Sequence, residues 1–285
     1  MNTFDSTFGF PEDSYRNYNI DYETMTDKKI AKLETIHETY RLQRTNIFNI
    51  SNLALINKYC KYDSLVNFWS LFSLLDGIVD LSDPDTSLPN SLHSLQTAEA
   101  IRRNNKPDWF ILCGLIHDMG KILYLNGKDE DGTSKMTQWA IVGDTYITGH
   151  PLPFDIVLPE YNILNSDHQY NMSLYSKGCG LSKCSVSFGH DEYMYRLLQA
   201  NEHSLPDEAL YIIRYHSLYT WHSGTYYDDL MDKKDKKMKS IVQEFNKYDL
   251  YTKDDNNTIS WDFKLKEFYS DLVKKYISKD MMIRC

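Results

Sequence analysis

The sequence predicts an all-α protein built as a single helical bundle, and three observations carry that reading. Helix breakers are sparse, with 12 glycines and 8 prolines in 285 residues, about 7% against an average near 12%. Apolar residues recur at spacings of three and four along most of the chain, and no alternating run exceeds four or five residues. An aromatic content of 14% can fill a sizeable core. Charge narrows the function: 31 basic against 40 acidic residues leave −9, which argues against a phosphate-driven nucleic-acid binder. No stretch approaches the roughly 18 apolar residues of a membrane span. Met1 to Asp13 lacks the basic-then-apolar pattern of a secretory signal. Five cysteines without regular spacing point to a reducing, cytoplasmic setting rather than a disulfide framework.

Taken in order, residues 1–25 are rich in Tyr, Asn and Asp and read as an arm lying over a single domain spanning 26–285. A helix follows from Asp27 to about Lys58, with Ile30, Leu33, Ile36 and His37 at helical spacing, and a second from about Leu65 to Val79. Asp80-Leu81-Ser82-Asp83-Pro84-Asp85 is an acidic loop. Pro89-Asn90-Ser91 starts a helix that continues to about Arg103. The next, Asp108 to Met119, is apolar nearly all round and therefore central, with Gly120 as its expected stop. A polar loop at 127–136 and a long irregular segment at 145–180 precede a helix from His190 to about Gln199. Ser204 reads as the cap of a helix ending near His216, and residues 229–249 and 260–277 fit two more.

Four of the nine histidines, His93, His117, His190 and His216, project from apolar or small-residue faces of four different helices. One such imidazole is ordinarily a satisfied core residue. Four without a shared purpose would need four separate hydrogen-bond solutions. Asp118 follows His117 directly, and Asp249 shares a face with Val242, Phe245 and Asn246. A metal resolves buried carboxylates of this kind. Four His and two Asp exceed the needs of one tetrahedral zinc and suit a two-metal site of iron or manganese. His37, His150, His168 and His203 read as surface residues, and His222 as a neighbour of the site that does not ligate. Cys179 and Cys184 form a C-x4-C spacing that reads as two free thiols.

The His93…His117-Asp118…Asp249 order resembles the HD-domain superfamily, and the surrounding words are more specific. Ser82-Asp83-Pro84-Asp85, Gly114-Leu115-Ile116-His117-Asp118-Met119-Gly120-Lys121 and Trp139-Ala140-Ile141-Val142-Gly143-Asp144-Thr145 closely resemble the myo-inositol oxygenase family. So do Pro89-Asn90-Ser91-Leu92-His93, Gly189-His190-Asp191-Glu192-Tyr193, Arg214-Tyr215-His216-Ser217 and the stretch Gln243 to Lys253. The likeness runs in order from Tyr15-Arg16-Asn17-Tyr18 to the C-terminal helix. The 127–136 loop is several residues longer than the family pattern, Leu81 stands where a polar residue is expected, and Gly149-His150-Pro151 is foreign to it.

That resemblance implies a mixed-valent Fe(II)/Fe(III) pair that converts myo-inositol and O₂ to D-glucuronate, the first step of inositol catabolism, in a monomeric enzyme. It further implies a first iron on His93, His117, Asp118 and Asp249, and a second on His190 and His216, with Asp118 bridging. Substrate contacts carry over to Arg16, Asp80, Ser82, Lys121, Gly143, Asp144, His216, Ser217 and Lys253, with Lys121 and Asp118 closest to the chemistry. A neutral hexol wants partners that both donate and accept hydrogen bonds, which this set offers. The alternative is an HD-type phosphohydrolase, and Asp80 and Asp144 speak against the anionic substrate it would take.

Overall fold

The computed structural model describes residues 17–46, 52–154, 156–165, 172–252, 259 and 261–285. It is helical throughout its core, with two short two-stranded ladders at the periphery. The helices are α1 (Asp27–Asn46), α2 (Asn52–Tyr59), α3 (Phe68–Ser73), α4 (Asn90–Arg103), α5 (Asp108–Ile116), α6 (His190–Gln199), α7 (Asp207–Tyr215), α8 (Tyr219–His222), α9 (Lys233–Tyr251) and α10 (Phe263–Tyr276). The strands are β1 (Leu65–Asn67), β2 (Ile147–Thr148), β3 (Ser185–Val186) and β4 (Met282–Arg284).

The centre is α5, whose residues from Phe110 to Ile116 are all buried, as its all-round apolar sequence requires. α4 lies along it at near backbone contact. A Cβ added at Gly114 would stand 2.7 Å from the Ala98 Cα, so only glycine permits this approach. α7, α9 and α10 pack around α5, and α6 closes the bundle against α7 and the 3-10 segment that follows α5, with Leu197, Ile212, Ile213, Val242 and Phe245 completely buried. Each such side chain contributes roughly 1.5–3 kcal/mol relative to exposure. α9 opens on a capping box, with Asp232 accepting from Lys234 N and Asp235 N and the Asp235 carboxylate accepting from Asp232 N.

α1 stands outside this core. Leu33, Ile36 and Tyr40 form a separate small cluster with Tyr18, Ile20, Met25, Val157, Leu158 and Tyr161. The rest of its inward face is polar, with Thr39, Gln43 and Arg44 buried.

Several local expectations are corrected. Asp27 to Lys58 contains two helices, α1 and α2, and residues 47–51 between them lie outside the described residues. The expected helix 65–79 is β1, then α3, then a 3-10 turn over Leu74–Gly77. Its first residues pair antiparallel with β4, Val66 opposite Ile283, a partner no local pattern reveals. Gly120 does not stop its helix. The chain tightens at His117 into a 3-10 segment that runs through Gly120 to Leu125, and Gly120 lacks the positive φ of a helix stop. Its use is a close approach, since a Cβ there would meet His190 O at 2.0 Å.

Ser204 is not a cap. Its N–H donates to Tyr276 O, and α7 begins after Pro206 with no side-chain cap. The 127–136 loop folds back on the body, where the Asp131 carboxylate accepts from Lys58 and from the Tyr59 hydroxyl, itself the acceptor for buried Thr133 Oγ1. His37, His150 and His203 are half-buried rather than exposed, and His168 lies outside the described residues.

Candidate metal centre

The donor side chains stand at helix ends. His93 is on the first turn of α4, His117 and Asp118 where α5 tightens into the 3-10 segment, His190 opens α6, His216 follows α7, and Asp249 sits near the end of α9. None is more than 5% exposed. Three imidazoles are anchored through Nδ1 to backbone carbonyls: His117 to Gly114 O at 2.9 Å, His190 to Ile141 O at 2.6 Å, and His216 to Ile212 O and Ile213 O at 3.2 Å. A proton held at Nδ1 leaves the Nε2 lone pair facing inward, which is the arrangement of a ligating histidine.

Asp118 divides the cluster. Its Oδ2 faces His93 Nε2 at 3.7 Å and His117 Nε2 at 3.6 Å. Its Oδ1 faces His190 Nε2 at 3.3 Å and His216 Nε2 at 3.8 Å. Asp249 Oδ1 joins the first group, 2.9 Å from His93 Nε2 and 3.3 Å from His117 Nε2. Two donor groups result, His93–His117–Asp118 and Asp118–His190–His216, each with ligand atoms within 4.8 Å of one another.

The residues present fit a metal. His117 Nε2 is buried without a hydrogen-bond partner, a burial that costs about 1–3 kcal/mol when nothing compensates it. At His117 the bare nitrogen faces carboxylate oxygens, so a cation between them satisfies both. Imidazole with carboxylate is a donor mixture suited to iron or manganese.

Charge in the cluster is held in place by Lys121. Burial alone would raise the Asp118 carboxyl, yet Lys121 and the surrounding imidazoles hold it well below the usual carboxylate range. Lys121 Nζ donates to Asp118 Oδ2 at 2.9 Å and to Asp80 Oδ2 at 2.7 Å. Burial would strip its proton, but these two carboxylates push its pKa upward and keep it cationic. Asp80 is held low despite its burial by Lys121 and Ser82. Burial holds His117 below the ordinary imidazole value. His216 is lifted to about 9: burial works against this, and Asp191 and Asp118 outweigh it.

Asp80, Ser82, Lys121, Gly143, His216 and Ser217 line one cleft with His93, Asp118, His190 and Asp249, partly open to solvent. Asp144 is adjacent but not on this cleft; its carboxylate is buried, accepting from the Tyr40 hydroxyl at 3.5 Å and the Tyr146 hydroxyl at 3.3 Å. Arg16 and Lys253 lie outside the described residues. His222 supports without joining, its Nε2 2.8 Å from the His216 carbonyl.

Two neighbours of the donors were not anticipated. Asp191 is fully buried and its Oδ1 lies 2.7 Å from His190 Nε2; the carboxylate accepts from Thr145 Oγ1, Ser217 N and Ser217 Oγ. The signal was present, because His190-Asp191 repeats the His117-Asp118 pair. Asn90 Nδ2 donates to Asp118 Oδ2 at 3.0 Å, turning a helix-start residue toward the cluster.

Known proteins share much of this sequence. The myo-inositol oxygenase family model matches residues 33–283. The inositol oxygenase of Homo sapiens is 44% identical over 211 residues, covering 71% of this chain and 70% of that protein. That of Danio rerio is 39% identical over 252 residues, covering 85% and 87%. That of Dictyostelium discoideum is 38% identical over 260 residues, covering 87% and 86%.

Proposed function

Since the chain belongs to the myo-inositol oxygenase family, we propose that it uses O₂ to open the ring of myo-inositol, yielding D-glucuronate, at the cleft around Asp118. The observation that carries this reading is the Asp118 carboxylate, whose two oxygens face two different sets of buried imidazoles. His93, His117, Asp118 and Asp249 would hold one iron, and His190, His216 and Asp118 the second. Such a pair, when bound, supplies Lewis acidity toward a substrate hydroxyl and redox capacity toward O₂.

The protein side of the reaction follows from the cleft. A buried polyol loses its water hydrogen bonds and needs each replaced. Asp80 accepts, Ser82 and Ser217 both donate and accept, and the Gly143 backbone approaches without a side chain in the way. Lys121 keeps its proton, so its part is to stabilise negative charge developing on a substrate oxygen and to hold Asp118 in place. The same pairing disfavours a phosphohydrolase, because Lys121 is already matched to two carboxylates, Asp80 and Asp118, rather than offered to an anionic substrate.

Anaerobic reconstitution with iron, metal counting and an oxygen electrode test the proposal. About two irons per chain, with O₂ uptake that requires myo-inositol and yields glucuronate, is the expected result. Phosphate release from nucleotides without O₂ uptake would replace it with the hydrolase. A monomeric state in the cytoplasm belongs to the same proposal. All five cysteines are free thiols, in keeping with a reducing compartment, and sedimentation would test the monomer.

A further inference from the structure

Outside the donor cluster, two nucleophilic side chains meet in the turn that leads to His190. Cys179 Sγ and Cys184 Sγ are 3.7 Å apart, each 3.6 Å from the same Gly180 carbonyl oxygen. The turn that holds them is fixed on several sides. Gly180 N donates to Leu230 O at 2.8 Å, Leu181 N to the Asp235 carboxylate at 2.9 Å, and Cys184 N to Leu181 O at 3.0 Å. Gly180 takes a φ of +92°, and a Cβ there would stand 2.6 Å from Asp232 Oδ2, so the backbone has little room to move the sulfurs apart. Among the described residues, the groups able to gather three metal donors all centre on Asp118. Two thiols alone fall short of the four ligands of a structural zinc.

We propose that Cys179 and Cys184 are a dithiol that low-molecular-weight disulfides oxidise to an intramolecular disulfide. The two sulfurs differ in access: Cys179 is half-buried and Cys184 is 4% exposed. Cys179 therefore meets the reagent first. Its thiolate attacks one sulfur of the small disulfide and releases a thiolate, leaving a mixed disulfide on Cys179. Cys184, in contact, then attacks the Cys179 sulfur; its proton goes to the departing second thiol. One small disulfide is reduced to two thiols, and two cysteines become one cystine. Burial, with Cys179 beside it, pushes the Cys184 thiol up to about 12, which disfavours it as the first attacker. A bond near 2.05 Å requires the two sulfurs to close from 3.7 Å. β3 begins at Ser185, directly after Cys184, and pairs with β2, so the crosslink would brace the strand that carries the chain to His190.

The full-length, metal-loaded protein is incubated with oxidised glutathione, quenched in acid, alkylated and digested. The expected result is a peptide containing both cysteines that has lost two hydrogens, carries no glutathione and regains both thiols on reduction. Cys60, Cys113 and Cys285 serve as internal comparisons. Cys184→Ser should accumulate a glutathione adduct on Cys179, and Cys179→Ser should leave Cys184 reduced. Two alkylatable thiols in the wild-type peptide after oxidation, or a stable glutathione adduct on wild-type Cys179, would overturn the proposal. Should either serine variant fail to fold, the wild-type mass decides alone.

Discussion

The donor cluster and the rim of the cleft are held in place by opposite means. Each of His117, His190 and His216 is oriented by a backbone carbonyl, and two of those carbonyls lie within one helical turn of the ring they fix. The rim consists of two loops without regular structure, 80–87 and 139–144, and side chains of α1 hold them. Lys32 Nζ donates to Pro84 O at 3.1 Å and Thr86 O at 2.8 Å. Gln43 Nε2 donates to Trp139 O, Val142 O and Asp144 O, and Tyr40 reaches the Asp144 carboxylate. Backbone anchoring makes the donor positions insensitive to most substitutions elsewhere. Long side chains from one outlying helix make the rim adjustable, so inositol affinity should change with little effect on the donors His93, His117 and Asp249, whereas His190 is tied to the rim through Ile141 O.

The largest effect should come from within the cluster. His190→Ala should lose one of the two irons and reduce activity by at least about 100-fold; metal analysis beside O₂ uptake checks this, and full activity would show the donor assignment to be wrong. Gly114→Ala should force α4 from α5 and cost about 1–3 kcal/mol of stability by overpacking, measured by urea unfolding. Gln43→Leu leaves three loop carbonyls without their donor, so KM for myo-inositol should rise about tenfold, or about 1.4 kcal/mol, with the iron on His93, His117 and Asp249 retained, since only His190 is anchored to that loop. A loss of both irons in that variant would dissolve the distinction between the two regions. Lys32→Met should raise KM only a few-fold, since its hydrogen bonds reach a partly solvated loop and contribute about 1 kcal/mol.

The donor cluster was legible because its members sit at helix ends, where inward periodicity and a His-Asp pair are local features. α4 and α6 were equally plain, as Asn90 and His190 begin them where the sequence indicated. β1 was not, because Val66 takes its partner Ile283 from the far end of the chain. α1 hid its role for a different reason. Its buried stripe of Leu33, Ile36, Thr39, Tyr40, Gln43 and Arg44 has helical spacing but is half polar, and a search for apolar residues passes over Gln43. Asp191 escaped although His190-Asp191 repeats the His117-Asp118 pair, because no local pattern shows that the chain turns it toward Ser217 and Thr145.

The missing side chain at Gly114 has a consequence for the cluster. His117 lies one turn beyond it, where α5 passes into the 3-10 segment, and His93 lies on α4 before the contact at Ala98, with the two rings 5.2 Å apart. Their separation is thus gauged by main chain resting on main chain, a hard stop rather than a spring. Any pair of donors grafted at positions 93 and 117 would inherit the same gap, which makes this crossing a ready-made jig for building other metal sites.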